Sequence, residues 1–444
     1  MARSARPGRR TLCKRSARCR AISTRLVCWR AVRRWKRPCL AFWMICLAAR
    51  TYLTWAMAFT RKRRSPMLKR WSGLSGSIMD KGKMAKKTAK RKKVAVILFN
   101  LGGPDSKNAI RPFLLNFFMD KNIIRLPIPL RCIIAWLIAK RRSRRDAGES
   151  YGEIGDKSPL LENSQKQAKA LEKVVKGDDD DNTVFKSFVC MRYWHPMSPQ
   201  IVREVRDWKA DEIIIVPLYP QFSTTTTWSS LQVWNKAMFE AGYDAPTSMI
   251  CCYPFNAGFI TASAENIAAR IKQARKDGHE NPRILFSAHG LPESVIKDGD
   301  PYQWQCEQTA EKIAEKLSES LQTVISSVSE KSQTLHGDSA SQASRNDRAT
   351  IDWQICYQSR VGPQKWIGPS LDEALEKAAK DKVPVIIYPH AFTQEHVETL
   401  VELDLEYHEM AEELGIHGYY RAETAGTHPA FIDGLAGLVR AHLG

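Results

Sequence analysis

The run VAVILF at Val94–Phe99 is apolar at every position and rich in β-branched residues. A strand with one wet face alternates polar and apolar positions. One without polar positions must be buried on both faces, as in parallel sheets covered by helices. Further runs of strand character occur at Thr183–Val189, Glu212–Pro217, Arg283–Ser287, Ile351–Tyr357 and Val383–Tyr388. Between them lie stretches with helical spacing, such as Ser164–Val175 and Ala262–Arg275. This alternation predicts an α/β chain with parallel sheets.

The runs also pair. ILFNLGGP (Ile97–Pro104) is similar to ILFSAHGLP (Ile284–Pro292), and IIIVPLYPQFSTT (Ile213–Thr225) to VIIYPHAFTQE (Val385–Glu395). The repeat predicts two similar α/β domains, 94–260 and 261–444, with a ligand cleft at the C-terminal ends of their strands. Two stretches fall outside this plan. Asp178–Asp181 reads as a solvated turn, because adjacent carboxylates do not converge on an ion. The latter part of Ser318–Ala349, rich in Ser, Gln and Asp, reads as an insertion without regular structure.

Charge is distributed unevenly. The 444-residue chain has a formal net charge of +21, which alone would suggest a phosphate-rich partner. Residues 1–93 hold 29 of the 68 Lys and Arg against one acid, Asp80, leaving 39 bases and 46 acids in the remainder. The body is mildly acidic, and the reading as a nucleic-acid binder loses its support. The basic leader, 1–93, is expected to lie outside the folded enzyme. It suits a targeting segment, a membrane anchor at Cys39–Phe59, or sequence ahead of a true start at Met79 or Met84. Arg50 in the anchor would cost about 2.5–3.5 kcal/mol.

The turn NLGGPDS follows a strand but is neither G-x-G-x-x-G nor a Walker loop, so no nucleotide cofactor is expected. His289 follows a buried strand at the edge where active residues collect. A histidine satisfied by a backbone carbonyl is the competing reading. After the matching strand come Glu395, Glu398, Glu402, Glu406 and Glu409 at spacings of 3 and 4, a carboxylate stripe on one helical face. Like charges repel, so such a stripe favours protons or a cation, unless it is a solvated face, the reading preferred for Glu406 and Glu409. His396 and Glu398, on the same sheet edge as His289, suit a divalent ion such as Fe(II). The six body cysteines, Cys132, Cys190, Cys251, Cys252, Cys306 and Cys356, form no CxxC pair. They read as ordinary buried thiols of a reduced, cytosolic chain, with no iron–sulfur cluster.

These pieces resemble the ferrochelatase family, from about Val94 to the C-terminus apart from the Ser-rich insertion. The matching motifs, in order, are NLGGP, FLLNFFMD, IAKRR, YGEIGDKSP, MRYWHP, LYPQFSTTT, SAHGLP, GDPY, QSRVGPQKWIGPS and AFTQEHVETLVELDLEY. The resemblance implies two Rossmann-like domains around a porphyrin cleft. It implies insertion of Fe(II) into protoporphyrin IX with release of two protons, the terminal step of haem synthesis. It also implies that His289 and Glu398 face the macrocycle centre and handle the metal. Glu402 and Glu406 would continue as a proton and metal relay. Leu101, Phe117, Ile123, Val361, Trp366, Phe392 and His396 would line the porphyrin, with Arg142, Tyr151, Ser158 and Arg192 around the propionates and the metal path.

The chain lacks a cysteine-bearing C-terminal extension, and Thr224–Thr227 supply no cluster ligand, which fits a bacterial type. Iron is then a substrate and no resident cofactor is expected. A cytoplasmic monomer is expected, with a dimer as the alternative and peripheral contact with the inner membrane. Competing functions are insertion of another metal or into another tetrapyrrole, such as coproporphyrin, and a non-catalytic tetrapyrrole carrier.

Overall fold

The computed structural model describes residues 91–146, 151–176, 182–333, 351–360 and 364–443. The leader up to residue 90, the Asp178–Asp181 tract, Val361 and the insertion from 334 to 349 lie outside the described residues.

Strand β1 (Lys92–Asn100) sits inside a four-stranded parallel sheet of order β2-β1-β3-β4. Its neighbours are β2 (Thr183–Met191), β3 (Glu212–Pro217) and the short β4 (Thr247–Met249). Val94, Val96 and Leu98 point into one apolar cluster, whereas Ala95, Ile97 and Phe99 point into another. Both faces are therefore covered, as the unbroken run requires. Lys92 and Lys93 pair with Thr183 and Val184, so the sheet claims two residues assigned above to the leader.

The second sheet repeats the plan. β5 (Arg283–His289) lies between β6 (Trp353–Gln358) and β7 (Val385–Tyr388), with β8 (Tyr419–Arg421) outside β7. β4 and β8, three residues each, are not legible in the sequence because so short a run carries no period.

The first-half helices are α1 (Ile110–Phe118), α2 (Ile128–Asp146), α3 (Leu160–Lys176), α4 (Ser198–Trp208) and α5 (Thr227–Glu240). Then come α6 (Ala257–Lys276), α7 (Glu293–Lys297), α8 (Tyr302–Gln333) and α9 (Leu371–Asp381). A π-helix (Glu398–Glu406) runs into α10 (Tyr407–Glu413), and α11 (Pro429–Ala441) ends the described chain.

The boundary drawn at 260 falls inside α6. This helix belongs to neither half alone. Phe259 and Ile267 of α6, Ile313 of α8 and Phe431 of α11 share one core with Leu98 of β1 and Phe286 of β5. α8 also runs through Ser318, so the Ser-rich stretch begins as helix.

Candidate active site

His289 is the last residue of β5, in register with Gln358 at the end of β6. Its Nδ1 lies 2.7 Å from the Gly290 carbonyl oxygen. A carbonyl only accepts, so Nδ1 carries a proton, and in the neutral ring Nε2 holds the lone pair. The carbonyl-satisfied reading is thus correct for one nitrogen, and the other stays available. Nε2 stands 4.0 Å from Glu398 Oε1, with both side chains about one-third to one-quarter exposed. Space is tight at Gly290, where a Cβ would meet Gln358 O at 3.0 Å and the Trp366 ring at 3.4 Å.

Glu398 opens the π-helix, whose i→i+5 bonding is rare and recurs at functional sites. Its N–H donates to His396 Nδ1 at 3.1 Å, fixing His396 with its proton on Nε2. Burial holds the His396 pKa below the usual histidine value, so that ring stays neutral. Phe392 packs edge-on against it at 4.5 Å between centroids.

Glu402 follows four residues on. Its carboxylate accepts from Ser359 N (3.0 Å), Ser359 Oγ (2.6 Å) and Gln358 Nε2 (3.1 Å). Burial, and then the charge of Glu398, push its pKa up to about 7 despite those donors. Ser359 makes both contacts from a left-handed conformation, φ 61°. Gln358 and Ser359 open a matching motif, yet the sequence assigns them no role, because nothing local marks a residue whose partner lies 43 positions away.

The carboxylate stripe divides. Glu395 is tied to Arg421 and to Thr424 N, both at 2.8 Å, and Glu406 and Glu409 are exposed. A relay through Glu406 would therefore run out into solvent.

From the first half, Leu101, Phe117, Ile123 and Tyr151 belong to one apolar cluster that also takes in Val397, the residue before Glu398. The structure thus brings the expected porphyrin wall against the segment carrying the carboxylates. Trp366 bridges to Pro292, and its indole Nε1 is buried without a hydrogen-bond partner.

The polar positions fare differently. Arg192 donates to Asp120 Oδ2 (2.8 Å) and Ser229 Oγ (2.7 Å) and lies over the Tyr193 ring, so two of its five N–H donors and one face are already engaged. Burial alone would raise the Asp120 pKa, but Arg192 and the surrounding hydroxyls hold it below the usual range. The Ser158 hydroxyl accepts from Leu160 N at the start of α3 and fills the space beside Gly103. Arg142 is half-buried near the end of α2.

Not all the body cysteines are buried. Cys132 is exposed, and Cys251 and Cys252 are half-buried. Among the described residues no three His, Cys, Asp or Glu side chains converge as a metal site.

An imidazole with a free lone pair, a facing carboxylate and a second carboxyl titrating near neutrality stand beside an apolar wall, on paired parallel sheets. This arrangement defines an α/β metal chelatase. The ferrochelatase family model matches residues 93–443, and the chain belongs to that family. It is 44% identical over 361 residues to the ferrochelatase of Hyphomonas neptunium, covering 80% of this chain and 88% of that one. To the ferrochelatase of Wolbachia sp. subsp. Drosophila simulans it is 46% identical over 347 residues, covering 78% and 98%. To that of Caulobacter vibrioides it is 44% identical over 352 residues, covering 79% and 91%.

Proposed function

We propose that this ferrochelatase inserts Fe(II) into protoporphyrin IX, with the macrocycle seated between the Leu101–Phe117–Ile123 wall and the His289–Glu398 pair. The free-base ring must lose two pyrrole protons as the ion enters. His289 Nε2 takes one, and Glu398 with Glu402 takes the other and passes it outward. The observation that carries this reading is the fixed tautomer of His289 facing Glu398. Two protein ligands suit an ion in transit, since the pyrrole nitrogens complete its coordination and carboxylate binds Fe(II) less tightly than thiolate would. Trp366 and Phe392 supply contact area, and a rigid apolar cleft can hold the ring bent toward its metallated shape.

Iron enters this scheme as substrate alone. A cluster takes about four thiolates; among the described residues burial pushes the Cys190 thiol up to about 12 and raises those of Cys306 and Cys356, which leaves Cys132, Cys251 and Cys252. The described residues contain no helix long and apolar enough to cross a membrane. Helix α2 nevertheless exposes Ile128, Leu130, Ile133, Trp136 and Leu137, with Lys140 and Arg141 following. Apolar side chains beside cations match an anionic bilayer surface, where the hydrophobic porphyrin partitions. We place the enzyme as a monomer on the cytoplasmic face of that membrane.

Anaerobic mixing of purified protein with protoporphyrin IX and Fe(II) tests the reading. The free-base absorption bands should give way to those of haem. Tight porphyrin binding without that change would mark a carrier. Faster turnover of coproporphyrin or of another divalent ion would reassign the substrate.

A further inference from the structure

Behind the reacting groups, four buried side chains join the two halves in one chain of hydrogen bonds. Asn100, the last residue of β1, accepts from Leu101 N through Oδ1 at 2.8 Å. Its Nδ2 donates to Ser164 Oγ on α3 (2.9 Å) and to Gln394 Oε1 (3.2 Å). Gln394 Nε2 donates to Gln167 Oε1, and Gln167 Nε2 donates to the carbonyls of Thr393 (2.9 Å) and Gly426 (2.6 Å). Asn100, Ser164, Gln167 and Gln394 are each at most 3% exposed.

The direction of every bond follows from the far end. The Thr393 and Gly426 oxygens only accept, so Gln167 must turn its amide nitrogen to them and its oxygen to Gln394. Gln394 must then donate to Gln167 and accept from Asn100. Asn100 is left with its oxygen toward Leu101 N–H. Ser164 agrees, because its hydroxyl proton goes to the Leu160 carbonyl at 2.7 Å and its oxygen is free to accept. No amide can flip without setting like against like, and in a buried network each mismatch is costly.

The two ends of this chain matter. Leu101 begins the apolar wall of the first half, and His396 and Glu398 lie two and four residues beyond Gln394. The same segment is held to the first half by Thr393 Oγ1 to Leu218 O (3.0 Å) and Asn163 Nδ2 to Glu395 O (3.0 Å). We propose that Asn100 and Gln394 are positioning residues that set the width of the cleft, and so the fit of the tetrapyrrole, by locking the Leu101 wall to the His396–Glu398 segment. The proposal rests on the ferrochelatase reading of the site.

Asn100→Asp keeps the shape and replaces the donor. While ionised, the introduced carboxylate opposes Gln394 Oε1; once protonated, its single O–H restores one of the amide's two donated bonds, the one to Gln394. Porphyrin affinity, read by fluorescence quenching, should come closest to wild type at low pH and fall about tenfold further between pH 6 and pH 9 as the carboxyl ionises. Gln394→Met, which cannot titrate, should weaken porphyrin binding about as much at every pH. Variants with wild-type porphyrin affinity and only a lowered melting temperature would overturn the proposal and leave the network a purely structural one. Absence of quenching by the wild-type protein would instead sink the tetrapyrrole reading itself, and the proposal with it.

Discussion

His289 Nε2 faces Glu398 Oε1 at 4.0 Å while His289 Nδ1 is held by the Gly290 carbonyl at 2.7 Å. One bond fixes the tautomer and the other contact stabilises the imidazolium that forms when a pyrrole proton arrives. His289→Ala should therefore lower kcat by roughly 10²–10⁴-fold, the usual worth of a positioned base. Porphyrin binding, followed by fluorescence, should change little. Near-normal turnover in this variant would remove His289 from the proton path.

Glu398 and Glu409 carry the same charge in very different settings. Glu398→Gln keeps the shape but can neither hold the ion nor take a proton, and kcat should fall at least about a hundredfold. Glu409 is exposed on α10, and Glu409→Ala should stay within about twofold of wild type. Equal damage from the two substitutions would mean that the whole stripe is functional rather than its half-buried members alone.

Glu402 makes a prediction about stability. Its pKa of about 7 in the folded protein lies above the ordinary value of 4.5. Between those values the folded state binds more protons than the unfolded state, so Glu402 lowers stability as pH rises through that window. Glu402→Gln does not titrate. Between pH 4.5 and 8 the stability difference should therefore move in the variant's favour, by on the order of 2 kcal/mol. Urea unfolding at the two ends of the range measures it, and movement the other way would contradict the raised pKa.

Much of this is legible in the chain because central strands of a doubly covered sheet leave no polar position, as at Val94–Phe99. His289 stands out for the same reason: it ends such a strand. What stays hidden depends on distant partners. A spacing of 3 and 4 does not distinguish the π-helix at Glu398–Glu406 from an α-helix, since a shift of one residue in hydrogen bonding leaves no composition signal. The motif with Arg192 gives no hint that Asp120 engages the guanidinium from 72 residues away. Asn100 and Gln394, 294 residues apart, look locally like turn residues.

Helix α2 should deliver the protein to anionic bilayers. Ile133 and Trp136 are 57% and 44% exposed, so replacing both with Ser removes apolar contact without opening the core. Co-sedimentation with phosphatidylglycerol-containing vesicles should fall by about tenfold or more, while wild-type binding should weaken as salt rises. Unchanged sedimentation would place any membrane contact elsewhere.

Glycines in α11 separate packing from propensity. Gly434 lies where α11 meets the start of α6: a Cβ there would collide with Asn256 Oδ1 and lie 3.2 Å from Gly258 Cα. Asn256 Oδ1 caps α6 by accepting from Phe259 N at 3.0 Å. Gly434→Ala must push that cap aside or force α11 away from α6, although both helices share the core of the two halves, and should cost about 2–4 kcal/mol. Gly437, one turn on, has nothing within 4 Å of an added methyl, so Gly437→Ala should stabilise by about 0.4–1 kcal/mol. Opposite shifts in melting temperature from one substitution at two sites of one helix can only come from their neighbours. Equal shifts would mean that α11 does not approach α6 this closely.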